Sequence, residues 1–114
     1  MVGIDIIEVK RVEKLVSNTE YAKKLFFEEE LQFAYSESNP AMHLAGFFCV
    51  KESVVKALGG GFVREVKVLH DDESGKPEVE LFGKAKDLLG GRKANVSISH
   101  EKEYATAVCV ITDR

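Results

Sequence analysis

The chain has 114 residues, 45% of them apolar and 31% charged, a composition that fits one globular domain spanning residues 1–114 and excludes disordered and fibrous classes. Sixteen Lys and Arg against nineteen Asp and Glu leave a net charge of −3, which argues against attachment to nucleic acid by bulk positive charge. The longest stretch free of Asp, Glu, Lys and Arg covers residues 38–50, too short and too polar at its start to span a membrane.

Residues 2–9 are rich in β-branched side chains and predict a short strand, interrupted by Asp5. Over residues 8–16, Val9, Val12, Leu15 and Val16 recur at helical spacing, and Lys10, Arg11 and Lys14 occupy the other face. Residues 19–27 and 28–35 read as two short helices, the second opening on three acids that suit the positive end of a helix dipole. Pro40 marks the start of the longest helix, residues 41–58, which Gly59, Gly60 and Gly61 end. A hairpin follows, with strands around Val66–His70 and Val79–Leu81 joined by an Asp-Asp-Glu-Ser-Gly-Lys turn. A short helix at 84–89 and strands at 95–99 and 104–112 complete an α+β fold, with antiparallel pairing. Cys49 and Cys109 each lie in an apolar run without metal-ligand spacing, and no basic-then-apolar leader opens the chain. Buried reduced thiols and a cytoplasmic location are the expectation.

The chemistry concentrates in the long helix. A helical projection from Leu44 puts Phe47, Phe48, Val50, Val54, Val55 and Leu58 on one core-facing arc. Glu52 and Lys56 stand together at its border, one turn apart, whereas Lys51 falls inside the apolar arc, where it must snorkel, pair with a carboxylate or meet an anion. Spacing alone favours an ordinary surface ion pair over a catalytic one. Asp5 is the second misplaced acid: it caps the following helix or, with Glu52, forms a carboxylate pair suited to Mg²⁺ and phosphate oxygens. The three glycines follow a helix C-terminus, where the dipole disfavours anions, so they read first as a helix stop rather than a phosphate loop. His100 sits at a strand end, either solvated or a donor beside a phosphate.

Taken together, Gly3-Ile4-Asp5-Ile6 with Arg11, the run from Phe48 through Lys51-Glu52-Ser53 and Lys56-Ala57-Leu58-Gly59 to Gly61, Gly75-Lys76-Pro77, and Ser97-Ile98-Ser99-His100 resemble holo-acyl-carrier-protein synthases, the short type of 4′-phosphopantetheinyl transferase. The resemblance covers essentially the whole chain. It implies a long central helix packed on a small antiparallel sheet, a homotrimer with active sites between subunits, and transfer of 4′-phosphopantetheine from coenzyme A to a serine of apo acyl carrier protein. It also implies Mg²⁺ held by Asp5 and Glu52, catalysis by Asp5, Glu52 and Lys56, and coenzyme contacts from Lys51, Lys56, Gly59, Gly61, Pro77, Ser99 and His100. Lys10, Arg11 and Lys14 would meet the acidic carrier. Phe47 stands where many relatives carry Arg, and the second helix, with Glu20, Lys23 and Lys24, lacks an arginine cluster. A binding module that holds coenzyme or carrier without modifying either is the competing reading, and another Mg²⁺-dependent phosphotransferase acting on a nucleotide is a third.

Overall fold

The computed structural model describes residues 1–113. Strand β1 (Val2–Glu8) runs straight into helix α1 (Val9–Val16), followed by α2 (Thr19–Leu25), α3 (Glu28–Tyr35) and the long α4 (Pro40–Leu58). A 3-10 turn at Val63–Glu65, which the sequence pattern does not announce, leads into hairpin β2 (Val66–His70) and β3 (Pro77–Leu81). Helix α5 (Gly83–Leu89) and strands β4 (Lys93–His100) and β5 (Tyr104–Thr112) complete the chain. The expected order of elements holds. The sheet is divided, however: β1, β5 and β4 form one antiparallel sheet with β5 in the middle, and β2 with β3 forms a separate two-stranded ribbon.

Helix α4 begins where expected because Asn39 accepts a hydrogen bond from the Met42 amide and Pro40 fills the first turn, where a missing N–H costs nothing. It stops at Gly59, whose φ of 74° is left-handed and favours glycine. The apolar arc holding Leu44, Phe47, Val50 and Val54 is buried as anticipated. A second face is buried too. Gly46, Cys49, Ser53 and Ala57, spaced three and four apart, are all buried and carry α4 obliquely over the sheet. A Cβ on Gly46 would lie 3.1 Å from Ile98 of β4, the Cys49 thiol donates to Ala105 O of β5 at 3.3 Å, and Ser53 and Ala57 meet Gly3 of β1. Small side chains on this face let helix and strand backbones approach closely.

Asp5 does not break β1. Gly3, Asp5 and Ile7 point inward to α4, and Val2, Ile4 and Ile6 point to the opposite, exposed side, so the apolar residues of this strand mostly face away from the core of the protomer. Gly3 is fixed by contact rather than by conformation: a Cβ there would stand 2.0 Å from Ser53 O and 2.6 Å from Ala57 N.

Lys51 is fully buried and does not reach a ligand. Its ammonium donates to both carboxylate oxygens of Glu30 at 2.8 Å and to Val66 O at 2.5 Å. Glu30 in turn accepts from the Phe27 amide at the start of α3 (2.8 Å) and from the Val68 amide of β2 (2.7 Å). Burial depresses the Lys51 pKa below its ordinary value, and the Glu30 charge opposes that fall. The assignment of Lys51 to the coenzyme is therefore corrected: the apolar position in the helix predicts a paired lysine, and the pair joins α3, α4 and the hairpin.

Two substitutions test this packing by urea unfolding. Gly3→Ala lowers stability by about 3 kcal/mol or more, because the obstructing atoms are backbone and cannot rotate away. Lys51→Met leaves the Glu30 carboxylate buried without its cation and costs about 3–5 kcal/mol; adding Glu30→Gln, which removes the charge and keeps an acceptor for the Phe27 and Val68 amides, recovers part of that loss.

Candidate active site

The oblique course of α4 decides which of the predicted residues meet. At its C-terminal half the helix crosses β1, and the Lys56 ammonium lies 3.1 Å from Asp5 Oδ1 and 3.0 Å from Ile4 O. Asp5 is largely shielded, with 16% of its side chain exposed, while Lys56 is 51% exposed. Lys56 thus pairs across elements with Asp5 instead of down its own helix with Glu52. Glu52 is half-buried beside them, and its pKa is raised by burial and then by the Asp5 charge, with Lys56 opposing. The three residues singled out for catalysis share one electrostatic environment.

Two carboxylates on different elements, one of them raised by the other, are a donor set that suits a hard divalent cation with open positions for water and phosphate oxygens. Among the described residues no group of three or more His, Cys, Asp and Glu forms a metal cage. The fit is to an ion that completes its shell from substrate. The Cys49 thiol lies close to this cluster, and burial first, then the Asp5 and Glu52 charges, pushes its pKa up to about 12. Burial raises Cys109 to about 11, so both thiols are free and inert, as their apolar runs predict.

The remaining candidates fall elsewhere. Pro77 and His100 line a cavity of about 520 Å³ at the N-terminal half of α4, between the β4 edge and the hairpin. His43 and Phe47 of α4 open onto the same cavity. On the helix projection these two stand about 180° from Glu52 and Lys56. The carboxylate cluster and the histidine cavity therefore occupy opposite flanks of α4 and opposite edges of the sheet. Ser99 does not join His100: strand alternation turns it to the outer face, where it pairs in register with Thr106 beside Ile6. Gly59 has open space around it, whereas Gly61, at φ 90°, packs against Ala85 of α5, where a Cβ would come within 3.2 Å. Both glycines have structural causes that suffice to explain them.

Lys10, Arg11 and Lys14 are all exposed on α1, whose Val9 and Val12 are buried. Because α1 continues β1 without a break, the basic face begins five residues after Asp5. His43 and His70 were not marked by their spacing. A register for the hairpin and the orientation of α4 would both have been needed to place them with His100.

The profile of the 4′-phosphopantetheinyl transferase superfamily matches residues 1–109. A holo-[acyl-carrier-protein] synthase of Caldanaerobacter subterraneus is 41% identical over 117 aligned residues, covering 96% of this chain and 91% of that protein. That of Thermodesulfovibrio yellowstonii is 39% identical, covering 97% and 96%. Among solved structures, the Helicobacter pylori holo-[acyl-carrier-protein] synthase in complex with coenzyme A superposes with a TM-score of 0.85 at 27% identity, covering 98% of this chain and all of that one. The Bacillus anthracis enzyme, in complex with CoA (3′,5′-ADP), gives 0.80 at 31% identity, covering 96% and 93%. On a family profile that matches nearly the whole chain and relatives about 40% identical over nearly their full length, the chain belongs to the 4′-phosphopantetheinyl transferase superfamily, among its holo-[acyl-carrier-protein] synthases.

Proposed function

We propose that residues 1–114 act as one catalytic domain in the cytoplasm, moving 4′-phosphopantetheine from coenzyme A to a serine hydroxyl of an apo acyl carrier protein. The observation that carries the site assignment is the convergence of Asp5, Glu52 and Lys56 at the crossing of β1 and α4. Glu52, directly or through a water, receives the serine proton, a role its position beside Asp5 and Lys56 allows. The serine oxygen then bonds to the phosphorus of the phosphopantetheine group as the bond from that phosphorus to the bridging oxygen breaks, and adenosine 3′,5′-bisphosphate leaves with the electron pair. Lys56, exposed and free to turn from Asp5, neutralises the charge that builds on the departing phosphate. Asp5 and Glu52 would hold Mg²⁺, which when bound offsets the negative charge of the pyrophosphate.

The division of the site supports a homotrimer. Val2, Ile4 and Ile6 are each 65% or 66% exposed, and with Val110 and Tyr104 they make an apolar sheet face uncovered in the protomer. A second copy packed there would bring its own residues to the open cleft. The coenzyme would then take the carboxylate cluster from one copy and the histidine cavity, Pro77 included, from the next. Ser99, turned to this outer face, would contribute from the interface side, and Gly59 and Gly61 would border the cleft by their backbone. The acidic carrier would meet Lys10, Arg11 and Lys14, a charge-steered contact despite the net negative chain.

Incubation with apo carrier, coenzyme A and Mg²⁺, followed by intact-protein mass spectrometry, shows a gain of one phosphopantetheine group that chelator and Glu52→Ala each abolish. No gain while coenzyme A still binds would establish a binding module instead. Lys56→Ala lowers kcat by about 10²-fold or more with a much smaller change in coenzyme affinity, and equal losses in both would reduce Lys56 to an anchor. Raising NaCl from 50 to 500 mM increases the KM for carrier, and Lys10→Ala with Lys14→Ala removes most of that salt response.

A further inference from the structure

All three histidines of the chain, His43, His70 and His100, line one cavity. They come from α4, β2 and β4, and they are connected through rings. His70 stacks on Phe33 at 4.5 Å between centroids, Phe33 meets His43 edge-on at 5.6 Å, and His43 meets His100 edge-on at 5.6 Å. Among the described residues no lysine or arginine lines this cavity. Its other charged groups are the carboxylates of Asp71 and Asp72 in the hairpin turn, and Glu37 approaches His43 from outside at 3.8 Å. Asp71 is already occupied within the turn, accepting from the Glu73 amide and the Ser74 hydroxyl. With neutral imidazoles the walls of this chain hold negative charge and no permanent cation, so proton uptake by the imidazoles is the way these walls can meet a phosphate with positive charge.

We propose that this cavity receives the 3′-phosphate end of the coenzyme and that His43 and His70, with His100, supply the positive charge there by taking up a proton on binding. The proposal rests on the coenzyme A reading above. The resemblance assigns His100 alone to that phosphate; the structure adds two further imidazoles and leaves Phe47, in the place of an expected arginine, as an uncharged wall against His70 at 5.5 Å. Burial and the neighbouring His43 both hold the free His70 below its ordinary pKa, so the empty cavity favours the neutral His70 ring. A bound phosphate reverses that preference. Recognition of the coenzyme is then coupled to pH, whereas an arginine in the same place would be charged throughout.

Calorimetric binding of coenzyme A and of 3′-dephospho-coenzyme A to the whole protein tests this between pH 7.0 and 8.5, where the free 3′-phosphate stays mostly dianionic. Coenzyme A should bind roughly fivefold to tenfold more tightly at pH 7.0 than at 8.5, the gain from holding protonated one imidazole of ordinary pKa about 6.5. The dephospho form should show little slope. Repeating the titration at pH 7.5 in buffers of different ionisation heat should reveal an uptake of roughly half to one proton per coenzyme A, and almost none for the dephospho form. His70→Phe and His43→Phe, which keep the ring contacts, should each flatten the slope and narrow the discrimination between the two ligands. Equal slopes for both ligands, or coenzyme A binding without proton uptake, would overturn the assignment whatever the variants do. Carrier modification with a pH-independent coenzyme affinity would remove this inference alone; failure of coenzyme A to bind at any pH would remove the coenzyme reading with it.

Discussion

The contact on which the rest of the molecule depends is the close seating of α4 on β1. Gly3 has no side chain because Ser53 O and Ala57 N occupy the space, and that bare crossing brings Asp5, one inward position further along the strand, to the flank of α4 that carries Glu52 and Lys56. A bulkier residue at position 3 would lift the strand and separate the acids by the same movement. Gly46 and Cys49 continue the seating across β4 and β5. The catalytic geometry is thus a by-product of helix-on-sheet packing, set by residues that have no chemistry of their own. Twelve of the nineteen residues of α4 are buried, so the helix is a closely packed platform, and a site built on it inherits that rigidity.

The Glu30–Lys51 pair secures the other side of the helix. Lys51 lies next in sequence to Glu52, yet the two side chains do unrelated work, because a step of about 100° turns one inward and the other to the border. All the charge on the inward side is satisfied: Glu30 serves the ammonium and two backbone amides, and none of the buried side-chain polar atoms among the described residues lacks a partner. Such a pair adds little net stability over a matched apolar pair, since desolvation consumes most of the attraction, but it penalises any arrangement of α3 and the hairpin that leaves either ion alone. It fixes where the hairpin sits, and the hairpin carries His70 and Pro77 to the cavity.

How much of this was legible follows from what sequence periodicity records. Order and extent of the elements were readable, because α4 has both a cap and a glycine stop and the hairpin turn has its Asp and Gly. The apolar arc of α4 was readable as well. Its small-residue face was not, since Gly, Cys, Ser and Ala carry no amphipathic signal although they pack the tightest interface. In β1 the alternation was present but its sign was hidden: Val2, Ile4 and Ile6 look like core residues and face outward, because Gly3 and Asp5 take the inward positions against α4. Asp5, Glu52 and Lys56 were found as misplaced charges. Ser99 and His100, adjacent in sequence, were grouped together, and strand alternation separates them. His43 and His70 gave no signal, as their meeting depends on how β2 crosses the N-terminal half of α4.

The two halves of the site differ in kind as well as in place. Lys56 carries a permanent charge, as the chemistry demands, because charge develops there whenever the reaction proceeds. At the histidine cavity charge is conditional. An arginine there would attract any anion at any pH, including the carboxylates of Asp71 and Asp72 in its own wall, and would be partly neutralised by them. Imidazoles avoid that internal pairing when the cavity is empty, and protonate when a phosphate arrives to compensate the charge. Replacing the arginine by Phe47 therefore need not abolish phosphate recognition; it transfers the task to rings that respond to proton activity. On the proposed reading, with the conditional half and the permanent half on opposite flanks of α4, one coenzyme would feel both only across two copies of the chain, and assembly would be a requirement of the chemistry rather than an addition to it.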